Sequence, residues 1–189
     1  MLYYFRKIYY IFLLPHLFLY LLLRKSVRKR IEEDIKLMNI RLNKNEGLLY
    51  YLTYEKPYRN LFYHRIGKIS RILNFYVPQY NSFIIGDDVD IAGGIFVLNH
   101  PFSSVINAKS IGYNFTICQL TTIGNSRHGR NDLIPIIGNN VTLGANVTII
   151  GNITIGDNVV VGAGAVVVKD VPSNCVVVGN PAHVVRRLV

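Results

Sequence analysis

The sequence predicts a mostly β protein: a parallel β-helix of hexapeptide repeats, preceded by an α-helical region. Three observations predict it. Aliphatic residues recur at every sixth position through much of the C-terminal half. Glycine follows the aliphatic residue at seven of those positions. The first 80 residues lack this rhythm and carry helical spacing instead.

The repeat begins with Ile85, Ile91 and Val97, resumes at Ile111, Ile117 and Ile123, and runs on through Ile137, Leu143, Ile149, Ile155, Val161 and Val167. A period of six is foreign to an ordinary helix. It fits three short strands per coil, about 18 residues per turn on three flat faces. The lead residue points into a narrow prism, which favours aliphatic, β-branched side chains. Four places on come Val89, Ile95, Phe115, Val141, Val147, Ile153 and Val159. Glycine follows the lead at 86, 112, 124, 138, 144, 156 and 162. That position is expected to form the corner, where Gly or Asn tolerates positive φ. Asn139, Asn140, Asn152, Asp157 and Asn158 are the small polar residues expected at such turns.

Half of the 189 residues are hydrophobic, enough for a real core. Cys118 and Cys175 have no metal-type spacing, and so few cysteines argue against a disulfide framework. The net charge of +10 lies wholly in residues 1–80, which hold 15 Lys and Arg against 5 Asp and Glu. Those cations flank apolar segments rather than line a polar groove. The pattern points away from nucleic acid and toward an anionic membrane surface.

The chain divides into residues 1–25, 26–80 and 81–189. Within the first, residues 8–23 carry no formal charge and are broken only by Pro15 and His16. Sixteen helical residues rise about 24 Å, short of the roughly 30 Å hydrocarbon core. A basic cluster follows instead of a small-residue cleavage site, unlike a signal peptide. Two readings stand: a helix lying in the inner leaflet, or a hydrophobic helix buried in an oligomer. The expected location is cytoplasmic, peripheral on the inner membrane face if the first reading holds.

In the second region, Ile31, Ile35, Met38 and Leu42 recur at helical spacing behind Glu32, Glu33 and Asp34. Asn45-Glu46-Gly47 is expected to end that helix. A second helix is expected over residues 58–74, started by Pro57 and stopped by Pro78. No catalytic constellation shows in this region.

At Gly93-Gly94-Ile95-Phe96-Val97-Leu98-Asn99-His100, Ile111-Gly112 and Gln119-Leu120-Thr121-Thr122-Ile123-Gly124, the sequence resembles the hexapeptide-repeat acyltransferases. It is most similar to the serine acetyltransferase branch, which includes capsule and exopolysaccharide O-acetyltransferases. Residues 155–167 and Gly179-Asn180-Pro181-Ala182 complete the resemblance, and residues 58–67 look like the capsule-associated members. The resemblance implies a left-handed coil, an exception to the usual crossover hand. It also implies a homotrimer or a dimer of trimers, with each active site between neighbouring prisms.

Acetyl transfer from a thioester to an alcohol needs a base, an oxyanion donor and a groove for the pantetheine arm. It needs no metal. His100 matches the family's catalytic histidine, at the start of the loop over 101–108 that breaks the period by two residues. Asn99 stands where serine acetyltransferases carry an Asp that contacts the substrate amino group. The family's acid that orients the base falls on Ile85, which cannot serve; Asp87, Asp88, Asp90 or a backbone carbonyl are the substitutes.

A second loop, 125–135, adds one hexad plus two residues. In serine acetyltransferases a loop of this length ends in Arg-His before a Pro, and that pair contacts the carboxylate of serine. Here Leu133 and Ile134 precede Pro135, and an aliphatic pair cannot hold a carboxylate. Arg127, His128, Arg130 and Asp132 are then free to contact a polyhydroxylated acceptor, with Ile134 in the acceptor pocket. A sugar hydroxyl of surface polysaccharide biosynthesis is favoured over serine. For acetyl-CoA the resemblance points to Gly144, Ala145, Gly162 and Ala163 along the pantetheine. It points to Val168, Lys169 and Arg186 near the adenosine phosphates.

Two other classes compete with this reading. A zinc enzyme on this fold needs three converging histidines with a close pair, and His100, His128 and His183 offer none. A non-catalytic interaction scaffold would have no reason to keep His100 and both loops.

Overall fold

The computed structural model describes residues 2–37, 44–97, 103–126 and 132–188. Five helices come first: α1 (Leu2–Leu22), α2 (Lys25–Leu37), α3 (Lys44–Tyr54), α4 (Lys56–Ile66) and, after a 3-10 turn over Gly67–Ile69, α5 (Ser70–Tyr76). Fifteen short strands follow. In chain order they are β1 (Phe83–Ile85), β2 (Asp90–Ile91), β3 (Ile95–Val97), β4 (Ser104–Ile106), β5 (Ser110–Ile111), β6 (Phe115–Ile117), β7 (Thr122–Gly124) and β8 (Ile136–Ile137). Then come β9 (Thr142–Leu143), β10 (Thr148–Ile150), β11 (Thr154–Ile155), β12 (Val159–Val161), β13 (Val166–Val167), β14 (Cys175–Val178) and β15 (His183–Arg187).

The chain visits three sheets in rotation. One holds β1-β4-β7-β10-β13, the second β2-β5-β8-β11 and the third β3-β6-β9-β12-β14, with β15 folded back antiparallel on β14. All other pairings are parallel. Thr142 lies on Val160, eighteen residues on, as a regular coil requires. Ser110 lies on Asp90 at twenty residues and Thr142 on Thr116 at twenty-six, the lengths expected from the two loops. Lead residues from Ile91 to Val167 fill the prism, and Ile111, Ile123, Ile137, Leu143, Ile149, Ile155 and Val161 are buried. Ile85 and Ile153 are only partly covered.

Positive φ falls elsewhere than expected. The glycines after the lead residues lack it; Asn114, Asn140 and Asn158, three places after the lead, have it, as does Asn174. These four form a ladder along the corner between the second and third sheets, each Asn Nδ2 donating to the next Oδ1 at 2.8–2.9 Å. Asn suits this column because it tolerates the left-handed region and its amide can donate downward and accept from above. The glycine column beside it exists for a different reason. A Cβ on Gly112 would lie 2.6 Å from the Gly138 backbone, so the coils stack too closely for any side chain.

The helices meet the first coil, whose strands β1, β2 and β3 end their sheets. End strands present unpaired backbone groups, and α2 and α4 satisfy them. Asn60 Nδ2 donates to the carbonyls of Tyr80 (2.7 Å) and Phe83 (2.5 Å), while its Oδ1 accepts from Tyr80 N–H. His64 Nε2 lies 2.9 Å from Val89 O. Arg65 donates to Ile91 O and to Ala92 O, and Arg30 also reaches Ile91 O. Asp34 Oδ1 accepts from Ile95 N–H at 2.9 Å and pairs with Arg65 at 3.2 Å through both carboxylate oxygens. The Asp34–Arg65 pair is almost fully buried. Burial pushes the Asp34 carboxyl up to about 6, opposed by Arg65 and by the Ile95 N–H.

Two helix boundaries differ from expectation. Asn45-Glu46-Gly47 lies inside α3 rather than ending a helix. Gly47 is buried, and a Cβ there would sit 3.2 Å from Ile35 Cγ2, so it allows α3 to approach α2 closely. The helix expected over 58–74 is split, because Gly67 at φ +63° ends α4 and α5 starts after one 3-10 turn. Met38 and Leu42 lie outside the described residues.

The first helix turns Leu13, His16 and Tyr20 into the body, against α3 and α5. Tyr63 Oη donates to Val77 O at 2.6 Å, so His16 Nε2, 2.7 Å from that hydroxyl, is placed to donate to it. His16 Nδ1 is buried without a partner, consistent with a neutral ring. Burial, with Arg59 nearby, lowers the His16 pKa to about 4. Among the described residues no helix is long and apolar enough to cross a membrane.

Two outcomes follow from these buried groups. Asp34→Ala leaves the Arg65 charge unpaired, so thermal unfolding should show a loss of about 3 kcal/mol or more; a change within experimental error would mean the pair does not hold the junction. As pH falls from about 6.5 to about 4, unfolded His16 takes up a proton that the native state refuses, so its contribution to stability is lost on acidification. Asp34 acts in the opposite sense over much of that window, because its native pKa is raised. The His16 part is therefore read as wild type minus His16→Gln, a difference that should shrink by roughly 3 kcal/mol across the window. Parallel stability curves would refute it.

Candidate functional site

The prism has three edges, and the two loops occupy two of them. One edge joins the third sheet to the first. Down it run Ser103 ahead of β4, then residues 118–121, 144–147 and 162–165 between successive strand pairs. The next edge joins the first sheet to the second and carries residues 86–89, 107–109, the 125–135 loop, 151–153 and 168–170. The remaining edge is closed by the Asn ladder and carries no insertion. Both insertions thus border the five-stranded sheet. Between them its outward row, Ile84, Val105, Thr122, Thr148 and Val166, is flat and uncharged.

His100 and Asn99 lie outside the described residues, as do Arg127, His128 and Arg130. The frame that presents them is described. Ser103, at φ +54°, leads into β4. Buried Ser104 accepts the Thr121 N–H through Oγ at 3.1 Å, tying the end of the first loop to the next coil. Thr121 Oγ1 in turn donates to Cys118 O at 3.0 Å. In the second loop Asp132 is exposed, Leu133 and Ile134 are half-buried, and Pro135 is buried with its carbonyl accepting from Lys109 N–H at 2.8 Å.

The residues expected along the pantetheine do come together. Gly144, Ala145, Gly162 and Ala163 stack on the edge between the third and first sheets, which Ser103 also borders. Gly144 N–H donates to Val161 O, and Gly164 N–H to Ala145 O. A Cβ on Gly144 would lie 2.7 Å from Ala163 N, so this column must stay thin. Val168 and Lys169 are exposed on the other edge of the same sheet. Arg186 is exposed on β15, on the third sheet, paired in register with Val176. A single chain therefore does not gather all seven residues at one place.

Gln119 was legible in the sequence only as a letter of a motif. Its Oε1 is buried and has no hydrogen-bond partner among the described residues. It sits on the loop-bearing edge, next to Leu120, which adopts φ +60° where the Asn ladder edge uses asparagine. A bulky residue in that region is strained, and such strain gathers at functional sites. The three aspartates expected to substitute for the orienting acid lie in two different settings. Asp90 is held by Arg30 at 3.2 Å, while Asp87 and Asp88 line a cleft of about 730 Å³ between α4–α5 and the first coil. Among the described residues no three His, Cys, Asp or Glu side chains gather as a metal site. Cys118 and Cys175 are free thiols.

Residues 134–169 match the bacterial transferase hexapeptide family, described as six repeats. A serine acetyltransferase of Staphylococcus epidermidis is 31% identical over 168 residues, covering 84% of this chain and 79% of that protein. One from Synechococcus elongatus is 37% identical over 128 residues, 67% of this chain and 52% of that protein, so the chain spans about half the length of that relative. A putative colanic acid biosynthesis acetyltransferase of Escherichia coli is 50% identical over 93 residues, 49% of this chain and 57% of that protein. Among solved structures, a Neisseria gonorrhoeae serine acetyltransferase superposes with a TM-score of 0.70 at 30% identity, covering 86% of this chain and 67% of that one. The rotation of the chain through three parallel sheets, the two loop insertions and these relatives converge. The protein belongs to the hexapeptide-repeat acyltransferases, with their left-handed parallel β-helix, in the serine acetyltransferase-like branch.

Proposed function

We propose that the protein is an acetyl-CoA-dependent O-acetyltransferase acting on a sugar hydroxyl in surface polysaccharide biosynthesis. The observation that carries the acceptor class is Leu133-Ile134-Pro135 at the return of the second loop. Two half-buried aliphatic side chains offer no charge to a carboxylate. Asn99 keeps a hydrogen-bonding amide where a charged acid would serve an amino group. The identity to the colanic acid relative, higher than to the serine enzymes over a shorter stretch, supports the same reading.

The proposed reaction uses His100 as base. Its imidazole takes the acceptor hydroxyl proton as that oxygen attacks the thioester carbonyl. A backbone N–H holds the oxyanion. Collapse expels the CoA thiolate, which takes the proton from the imidazolium. Ester and free thiol are formed, so atoms and charge balance.

The split of the cofactor residues between edges fits a trimer. If prisms pack through the uncharged outward row, the thin column of one chain faces the other edge of its neighbour. Gly144, Ala145, Gly162 and Ala163 would then line one wall, with Val168 and Lys169 of a neighbouring copy across the groove. The second reading is a serine O-acetyltransferase of cysteine biosynthesis. It is supported by the relatives matched over most of the chain.

An acceptor screen under acetyl-CoA, read by CoA release, tests the activity and separates the two acceptors. Serine should turn over poorly beside sugar acceptors, and efficient O-acetylserine formation would overturn the sugar reading. His100→Ala should cut turnover by about a hundredfold or more; a mild loss removes it as the base. Gln119→Leu removes an unpaired buried oxygen, so the melting temperature should hold while turnover falls by about tenfold. A matching loss of stability would make Gln119 an ordinary packing residue.

A further inference from the structure

We propose that α1 and α5 together form a docking surface for an anionic lipid bilayer. A helix apolar on all sides is normally covered on all sides. Over residues 10–22 of α1, one side is covered. Leu13, His16 and Tyr20 face the body, while Ile11, Leu14, Phe18, Leu21 and Leu22, at three- and four-residue spacing, are exposed. The adjoining α5 adds Ile72, Phe75 and Tyr76, with Phe75 86% exposed. Sequence periodicity alone assigned α5 no such face. It emerges because Gly67 breaks the helix and redirects the second half. Exposed apolar side chains in this number on two adjoining helices mark an interaction site.

The charges choose the occupant. Arg24 and Lys25 are exposed directly after α1, and Lys68 and Arg71 are exposed around the start of α5. No Asp or Glu occurs in residues 1–31 or in residues 56–86. Asp87 and Asp88 line the cleft that Lys68 and Arg71 also line, but Arg24 and Lys25 beside α1 have no acid in their segment, and a second copy of this face would set those cations against each other. An anionic leaflet supplies what the face lacks: acyl chains for the apolar side chains and phosphates for the cations. Because its other side packs on α3 and α5, α1 would lie along the leaflet rather than across it.

Cosedimentation of the full chain with vesicles tests this, and it reads partitioning rather than turnover, so it stands apart from the acetyl-transfer reading. Deleting α1 would uncover the surface that Leu13, His16 and Tyr20 bury, so point variants at exposed positions are used. The protein should bind vesicles of phosphatidylcholine containing phosphatidylglycerol. Binding should drop by about tenfold for phosphatidylcholine alone, in high salt, for Ile72→Glu with Phe75→Glu, or for Lys68→Glu with Arg71→Glu. Melting curves and the mass from light scattering should stay as in the wild type. Failure to bind the anionic vesicles, or binding indifferent to both double variants, would overturn the proposal. So would a fall in oligomer mass in Ile72→Glu with Phe75→Glu, which would assign the face to contacts between copies.

Discussion

A prism of stacked coils has an end, and the end is its weak point. Each interior coil satisfies its backbone through the coils above and below, but the first coil has a neighbour on one side only. The helices close that side with side chains rather than with another strand. Asn60, His64 and Arg65 on α4, with Arg30 and Asp34 on α2, reach five backbone groups between Phe83 and Ile95. Leaving such groups unpaired would cost about 1–3 kcal/mol each and leave an edge open to pairing with another chain. The Asp34–Arg65 pair is central because both partners also bond the coil. A buried ion pair is weak evidence for stability when it only holds itself together. Here it gains its value by ordering two part-buried carbonyls and a buried N–H of the first coil.

The same regularity governs the candidate site. Coils repeat about 4.8 Å apart, so residues at one corner form columns whether or not they are near in sequence. The edge with the Asn ladder is fully bonded and offers a ligand nothing. The other two edges tolerate insertions, and their columns border one sheet. The connection from β3 to β4 and the thin-walled column then fall on one edge without any special device, because the chain returns to that edge on every turn. The consequence is separation: Gly144 and Ala163 lie on one edge of the five-stranded sheet and Val168 and Lys169 on the other, and the proposed trimer would bring such edges of neighbouring chains together.

Much of this was legible in the residues. The six-residue rhythm predicted the prism, and the two insertions predicted registers of twenty and twenty-six residues. Those features are local, and periodicity carries them. Gly112 and Gly138 were misread as corners needing positive φ, because the sequence displays a glycine without saying whether its backbone turns or its neighbour crowds it. Gly47 misled in the same way, reading as a helix end when it is a contact with Ile35. The cap was invisible for another reason. Asp34 and Arg65 are thirty-one residues apart and belong to no motif, so only packing brings them together. For the site, the motif around His100 and the aliphatic pair Leu133-Ile134 could be read directly. The orphaned oxygen of Gln119 could not, since an unpaired atom is a property of its surroundings.

The cap also links the two ends of the argument. The helices that close the first coil belong to the same bundle as α1 and α5, whose outer sides are apolar and whose charges are all positive. In sequence His100 falls between β3 and β4, and β3 belongs to the coil that the helices cap. If the outer helix face rests on a leaflet, α1 lies outermost and α2 and α4 lie between it and the first coil, so about two helix layers, roughly 20 Å, separate the leaflet from that coil. An acceptor anchored in that leaflet would then meet the loop-bearing edges without leaving the membrane. A free amino acid gains nothing from such an arrangement. Placement of the loops near the capped end therefore bears on the acceptor independently of Leu133 and Ile134, and both considerations favour the larger, tethered substrate.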